Sequence, residues 1–333
     1  MILVTGGTGL VGAHLLLHLI ESESIGAGKI RAIYRNSEKI KKTESLFQLY
    51  NKSALFQAIE WVKGDIIDVP TLEHAFIGVD YVYHSAALIS FDPKDEDVLR
   101  KTNIEGTANI VNFCLAKGVK KLCYISSTAA LGDLTTTATI ITEETEWNPE
   151  KPHSDYAISK YGAEMEIWRG QQEGLDVIIV NPGVIIGPGF QEQGSGLLFN
   201  AVAKGLRYYW LGKTGFVAVS DVVTMAVQLM KSEIRNERFV LIGQNLSFRD
   251  ILNTIADALK VKRPSRHMKP YLMEIGWRID WILAKILNRK RKLTRATAKA
   301  SYSEHDYSNE KIKMTLKTDF TDVHQYIKEI SSL

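Results

Sequence analysis

The chain has 333 residues, of which 45% are hydrophobic and 24% charged, and it sets 41 Lys and Arg against 38 Asp and Glu. That composition excludes wholesale disorder, which needs low hydrophobicity and high net charge, and a net charge of +3 is too even to point to nucleic acid. The length predicts about two domains, or one large α/β domain with an insertion, and no uncharged apolar run reaches the ~18 residues of a spanning helix.

Short apolar runs alternate with helical patterns through the first half. Ile2–Thr5 reads as a strand, followed by a helix over 11–22, a strand over 29–35, a charged helix over 37–50 and a strand over 58–63. A short helix over 72–76, a strand over 79–84 and a long helix over 95–117 follow. A strand over 121–126, a helix over 154–173 and a strand over 177–181 complete the alternation. Such alternation, with strands apolar along their whole length, predicts an α/β fold with a doubly wound parallel sheet of Rossmann type, covered on both faces.

The pattern loosens after Pro182. Residues 183–196 hold five glycines and Pro188 and read as a loop over a site. A strand is expected over 238–242 and a helix over 247–259 with Ser247 as N-cap. The organisation expected is a dinucleotide-binding domain of 1–184 plus about 216–244, and a smaller C-terminal α/β substrate domain of about 185–215 and 245–333. Residues 217–231 would return to the main sheet.

Met1 leads straight into Ile2-Leu3-Val4, so no signal peptide is expected. The cysteines, Cys114 and Cys123, sit in a helical and a strand pattern and read as buried reduced thiols of a cytoplasmic protein. His14 and His18 lie four apart on one helix. Leu15-Leu16 stands where a zinc protease carries Glu, so both read as surface histidines and no metal is expected.

Thr5-Gly6-Gly7-Thr8-Gly9-Leu10-Val11-Gly12 follows the first strand and opens the first helix. Both the 7-9-12 and the 6-9-12 glycine spacings fit a dinucleotide fingerprint. Glycines there permit a tight turn and close approach to a pyrophosphate, and the helix N-terminus offers free N–H groups. At the end of the second strand, Ala32-Ile33-Tyr34-Arg35-Asn36-Ser37 offers Arg35 where an NAD site usually offers an acid. With Lys39, Lys41 and Lys42 nearby, NADP(H) is favoured over NAD(H), against the plain alternative of a solvated basic helix start.

Tyr156 and Lys160 lie four apart on one helical face, so an ammonium near the phenol would lower the phenol's pKa and fit it for proton transfer. Ser126-Ser127 closes the fifth strand, where ligands sit in such sheets.

This combination resembles the extended short-chain dehydrogenase/reductase superfamily, the NAD-dependent epimerase/dehydratase family. Within it the chain is most similar to the branch of dihydroflavonol-4-reductases and 3β-hydroxysteroid dehydrogenases. The resemblance spans nearly the whole chain. It rests on the glycine turn, Gly64-Asp65-Ile66, His84-Ser85-Ala86-Ala87, Asn103-Ile104-Glu105-Gly106-Thr107, Ser126-Ser127, Tyr156 with Lys160, and Asn181-Pro182-Gly183. It implies Ser127, Tyr156 and Lys160 as catalytic residues, with Tyr156 the general acid/base and Lys160 also on the nicotinamide ribose. Gly6, Thr8, Gly9, Leu10, Val11 and Gly12 would hold the cofactor. Asp65 and Ile66 would meet the adenine, Ala86 and Ala87 would line the cofactor, and Arg35 would take a 2′-phosphate. Pro182 and Val184 would pack near the nicotinamide, and Asn103 would lie near the cofactor or serve structure alone. The lysine that follows the corresponding motif in sugar-nucleotide epimerases is missing after His84-Ser85-Ala86-Ala87. Neither 183–196 nor the Thr-rich 134–145 segment carries a substrate signature.

The reading is an NADP(H)-dependent oxidoreductase, carbonyl reductase-like, that reduces a carbonyl or oxidises the alcohol of a small or hydrophobic substrate. The alternatives are a nucleotide-sugar epimerase or dehydratase and a non-catalytic NADP(H)-binding regulatory protein. No nucleic-acid partner is expected, and a homodimer is compatible with the sequence. Residues 269–295, with Trp277 and Trp281 four apart and Arg289-Lys290-Arg291-Lys292 behind them, form a basic amphipathic helix. It is expected to pack its apolar stripe on the substrate domain, with contact to a membrane surface the less favoured reading. Phe190 and Tyr208-Tyr209-Trp210 could line an apolar pocket or pack in the core, and His153 needs no catalytic role.

Overall fold

The nearly uninterrupted apolar runs become the strands of one sheet. The computed structural model describes residues 1–23, 30–134, 138–287, 289, 291 and 293–333. Lys29, Thr135 to Thr137, Lys290 and Lys292, which belong to the expected second strand, the Thr-rich segment and the basic run, lie outside the described residues. In chain order the elements are β1 (Ile2–Thr5), α1 (Leu10–Glu23), β2 (Ile30–Tyr34), α2 (Ile40–Leu49), β3 (Ile59–Lys63), α3 (Val69–Ala75), β4 (Tyr81–His84), α4 (Glu96–Leu99), α5 (Gly106–Ala116) and β5 (Lys121–Ile125). Then come β6 (Ile140–Ile141), α6 (Asp155–Gln172), β7 (Val177–Pro182), β8 (Val184–Ile186), α7 (Gly196–Ala203), β9 (Tyr208–Tyr209), β10 (Lys213–Ala218), α8 (Val219–Lys231) and β11 (Glu237–Leu241). The chain closes with β12 (Gln244–Ser247), α9 (Phe248–Ala258), β13 (Arg266–His267), α10 (Pro270–Ile286), α11 (Arg295–Ala300), β14 (Asp306–Tyr307), α12 (Glu310–Leu316) and α13 (Val323–Ile330).

The main sheet has seven strands in the order β11-β7-β5-β4-β1-β2-β3, and every neighbouring pair is parallel. Alternation along each strand feeds two cores. Val4, Ile178 and Val180 face one core with Leu16 of α1 and Val222 of α8, whereas Leu3, Val177 and Ile179 face the other with Ile110 of α5 and Ile167 of α6. The expected doubly wound α/β sheet is therefore the fold. After β1 the chain builds β2 and β3 on one side, then crosses to β4 on the other, so the segments leaving β1 and β4 diverge at a switch point where a ligand crevice forms.

Several details differ from the expectation. The glycine-rich 183–196 stretch contains β8, a three-residue strand too short and too glycine-flanked to stand out. Of residues 217–231, α8 packs over α1 and the main sheet as expected, whereas Val217 and Ala218 end β10, which pairs in parallel with β8 and antiparallel with β12 outside that sheet. The long helix over 95–117 is interrupted by a π segment, Arg100–Glu105, in which Thr102 and Asn103 are buried.

His14 is not on the surface. α1 is apolar nearly all round, so its histidine face is covered too, edge-on to the Tyr50 ring at 5.9 Å. Burial lowers its pKa to about 4, and Nδ1–H donates to the Leu10 carbonyl at 2.8 Å. Phe190 packs with Ala13 and Leu46, Tyr209 stacks on His267 and Trp210 leans on Phe248, so these aromatics pack against their neighbours in the fold. Cys114 and Cys123 are fully buried, and burial pushes both thiol pKa values up, Cys123 to about 12.

Candidate active site

The glycine turn forms because two positions admit no side chain. A Cβ on Gly6, whose φ is +72°, would stand 2.6 Å from the Ala86 amide nitrogen. A Cβ on Gly12 would stand 2.2 Å from the Gly6 carbonyl oxygen. The turn is thereby pressed between the start of α1 and the chain leaving β4. Leu10 and Val11 open α1, whose first N–H groups lack intrahelical partners.

A cleft of about 330 Å³ opens at the switch point. Gly6, Thr8 and Gly9 line one wall and Ala86 and Ala87 another, with Asp65, Ile66 and Arg35 at the far end. Gly6 and Gly9 face the cleft, whereas Gly7 packs against Leu16 and Gly12 against the Gly6 carbonyl, both outside the lining. Arg35 is 55% exposed, with its guanidinium 3.7 Å from the Asp65 carboxylate. Lys39 and Lys42 join the lining, and Lys42 pairs across the opening with Glu192 at 2.9 Å. Lys41 pairs with Glu38 at 2.8 Å and takes no part in the lining. Walls of glycine and small residues, a helix N-terminus and a far end with Arg35 and Lys39 fit a dinucleotide.

Ser127 follows β5 at the carboxyl end of the sheet, and its hydroxyl accepts from the Ala129 amide at 3.1 Å. Tyr156 sits in the first turn of α6, capped by Ser154, which accepts from the Ala157 amide at 3.2 Å. The Ser127 hydroxyl acts on the Tyr156 hydroxyl and favours its ionised form. Phe91 stands edge-on to the Tyr156 ring at 5.6 Å. Lys160, one turn along, is buried beneath them. Its Nζ donates to the Tyr124 hydroxyl at 2.6 Å and to the Ile125 carbonyl at 3.0 Å, 4.3 Å from the centre of the Tyr124 ring.

This arrangement corrects the expected electrostatics. Burial raises the pKa of Tyr156, opposed by Ser127, while Lys160 donates to Tyr124 and Ile125 rather than to Tyr156. Burial also lowers Lys160 to about 7, opposed by Glu164.

Residues 2–243 match the profile described as the NAD dependent epimerase/dehydratase family. The chain belongs to that family. It is 30% identical over 274 residues to "Sterol demethylase protein B" of Methylococcus capsulatus, covering 82% of this chain and 78% of that protein. It is 29% identical over 271 residues to "Anthocyanidin reductase" of Arabidopsis thaliana, covering 74% and 77%. The crystal structure of gox2253 superposes with a TM-score of 0.79 at 25% identity, covering 100% of this chain and 97% of that one. As a member of the epimerase/dehydratase family, the chain is an oxidoreductase of the extended short-chain dehydrogenase/reductase type, a nicotinamide-dinucleotide-dependent class.

Around this family's Ser-Tyr-Lys pattern lies a buried polar network that the sequence reading missed. Glu164, four residues beyond Lys160 on the face shared with Tyr156, accepts from Ser126 Oγ at 2.5 Å, from Asn181 Nδ2, and from Arg238 at 3.3 Å. Asn181 Nδ2 also donates to the Ser127 carbonyl at 3.0 Å, so the carboxylate helps fix the serine backbone. Its spacing from Lys160 was the available signal.

His84 joins the two halves of the site. The Thr107 hydroxyl donates to the Asn103 carbonyl at 2.6 Å, so at 2.9 Å it accepts from His84 Nε2–H. Nδ1 then accepts from the Thr5 hydroxyl at 2.7 Å. Burial, with Lys160 nearby, lowers the His84 pKa to about 3 and keeps the ring neutral.

Asn103 does not line the cleft. Its side chain accepts from the Leu88 amide at 2.7 Å and donates to the Leu88 carbonyl and to Ser159 Oγ, both at 2.9 Å. It ties the chain after β4 to α6. Pro182 and Val184 flank Gly183 outside the cleft lining, where a glycine Cβ would stand 2.3 Å from the Gly215 carbonyl oxygen. His153 stacks on Trp147 at 3.8 Å, which in turn stacks on Tyr161.

Proposed function

We propose that the chain is an NADP(H)-dependent carbonyl reductase, or the reverse alcohol dehydrogenase, acting on a small or hydrophobic substrate. The observation that carries this reading is Ser127 acting on Tyr156 at the end of β5, with Lys160 buried one turn along α6 and held on the Ile125 carbonyl. The relatives named as reductases support it.

A nicotinamide dinucleotide bound in the cleft supplies or takes up the hydride. Gly6, Thr8, Gly9 and Gly12, with the Leu10 and Val11 amides, hold its pyrophosphate. Asp65 and Ile66 meet the adenine, Ala86 and Ala87 flank the pyrophosphate side, and Pro182 and Val184 pack beyond Lys160. Arg35, with Lys39 beside it, holds a 2′-phosphate. Ser127 orients the substrate oxygen and favours the Tyr156 phenolate, Tyr156 gives or takes the proton, and Lys160 binds the ribose. Asn103 acts as a positioning residue through Ser159 and the chain after β4. In domain terms, 1–184 plus about 216–244 binds the cofactor, and 185–215 with 245–333 shapes the substrate side.

Tryptophan fluorescence titrated with NADPH and NADH tests this reading. NADPH should bind at least about tenfold tighter, and Arg35→Ala should shrink that preference to within about threefold. Equal or NADH-favoured binding in the wild type overturns the NADP(H) assignment and brings forward an epimerase or dehydratase that regenerates its cofactor.

A further inference from the structure

α10 turns an apolar face outward. Tyr271, Ile275, Ile279, Ile282 and Ile286 recur at intervals of four, four, three and four residues, which aligns them along one side of the helix, and each is 48–72% exposed. Exposed Leu272 and Leu283 widen the stripe. Among the described residues nothing buries this stripe as expected: the buried residues of α10 are Asp280 and Ala284, on the opposite side.

The surrounding charge is one-sided. Residues 269–295 carry eight Lys and Arg against two acids, a net +6 in a chain of net +3, so the rest of the sequence sums to −3. Both acids are already engaged by cations, Glu274 with Arg278 at 2.9 Å and Asp280 with Arg289 at 2.6 Å. Lys285 reaches over the exposed Trp281 ring at 5.7 Å. No helix among the described residues is long and apolar enough to cross a membrane.

We propose that the apolar stripe of α10, with the exposed cations Lys269, Arg278, Lys285 and Arg295 of the same segment, forms a docking surface for an anionic lipid bilayer. A bilayer interface accepts the apolar stripe among acyl chains and the cations among head groups at once. A second copy of the chain is disfavoured as occupant, because it would set two +6 segments side by side. The surface adjoins the site. The Arg291 amide donates to the Asp92 carboxylate at 3.3 Å, and the same loop carries exposed Ile89 and Phe91, the latter against Tyr156. A membrane-dissolved, lipid-like carbonyl is the substrate class this placement favours. The substrate class rests on the reductase reading, whereas membrane binding does not and is measured without turnover.

The test is flotation of the full chain with vesicles of phosphatidylcholine alone or with about 30% phosphatidylserine, alongside sedimentation velocity without lipid. The wild type should float at least about fivefold more with the anionic vesicles, and less as salt rises. Ile279→Glu with Ile282→Glu should abolish flotation with unchanged circular dichroism, and Lys285→Glu, which leaves the stripe intact, should weaken it. No enrichment on anionic vesicles overturns the proposal, as does flotation indifferent to the double substitution. A lipid-free dimer that the double substitution dissociates also overturns it and assigns the face to a second copy.

Discussion

Lys160 holds the Tyr124 hydroxyl at 2.6 Å, one turn along α6 from Tyr156. A phenol oxygen that accepts from a buried ammonium favours its charged form, against the desolvation that lowers Lys160 to about 7. The proposed chemistry uses the charged form, so activity should fall as pH rises through the Lys160 pKa. Tyr124→Phe keeps the ring under the ammonium and removes only the hydroxyl. It should move that decline to lower pH by about one unit, equivalent to ~1.4 kcal/mol. A pH profile of kcat/KM identical to that of the wild type would remove Tyr124 from the mechanism.

Tyr156→Phe separates binding from proton transfer. The ring keeps its edge contact with Phe91 at 5.6 Å, so the loop and the start of α6 keep their packing. Turnover of any accepted carbonyl should drop at least about a hundredfold, the range of a lost general acid, with NADPH affinity within about threefold. Steady-state kinetics and fluorescence titration on the same preparation measure both, and turnover at the wild-type rate would refute the assignment of Tyr156.

What the sequence made legible follows from the range of the interactions. β7 reads as Val177-Ile178-Ile179-Val180 because both its faces are buried, and the glycine turn reads because its requirements are local. Tyr156 and Lys160 were found because their spacing lies within one helix. β8 escaped because a three-residue strand next to Gly183 leaves no period to count. The Glu164 network escaped because its partners, Ser126, Asn181 and Arg238, come from three separate stretches of chain. The apolar stripe of α10 was visible as a pattern. What covers a stripe depends on the docking of neighbouring elements, and periodicity carries no information about that.

His14 shows the same limit from the side of stability. Folded, it stays neutral until about pH 4, whereas in the unfolded chain it takes up a proton near pH 6.5. Between those values the unfolded state binds more protons, so stability is lost as pH falls through that window and is intact above it. His84, neutral until about pH 3, adds to the same acid loss. His14→Met removes one of the two titrations while still filling the space beside Tyr50. Urea unfolding at pH 7 and pH 4.5 should show the wild type losing about 2 kcal/mol more than the variant over that interval. If both proteins lose the same amount, His14 is protonated in the folded state, and its burial beside Tyr50 does not set the acid limit of the fold.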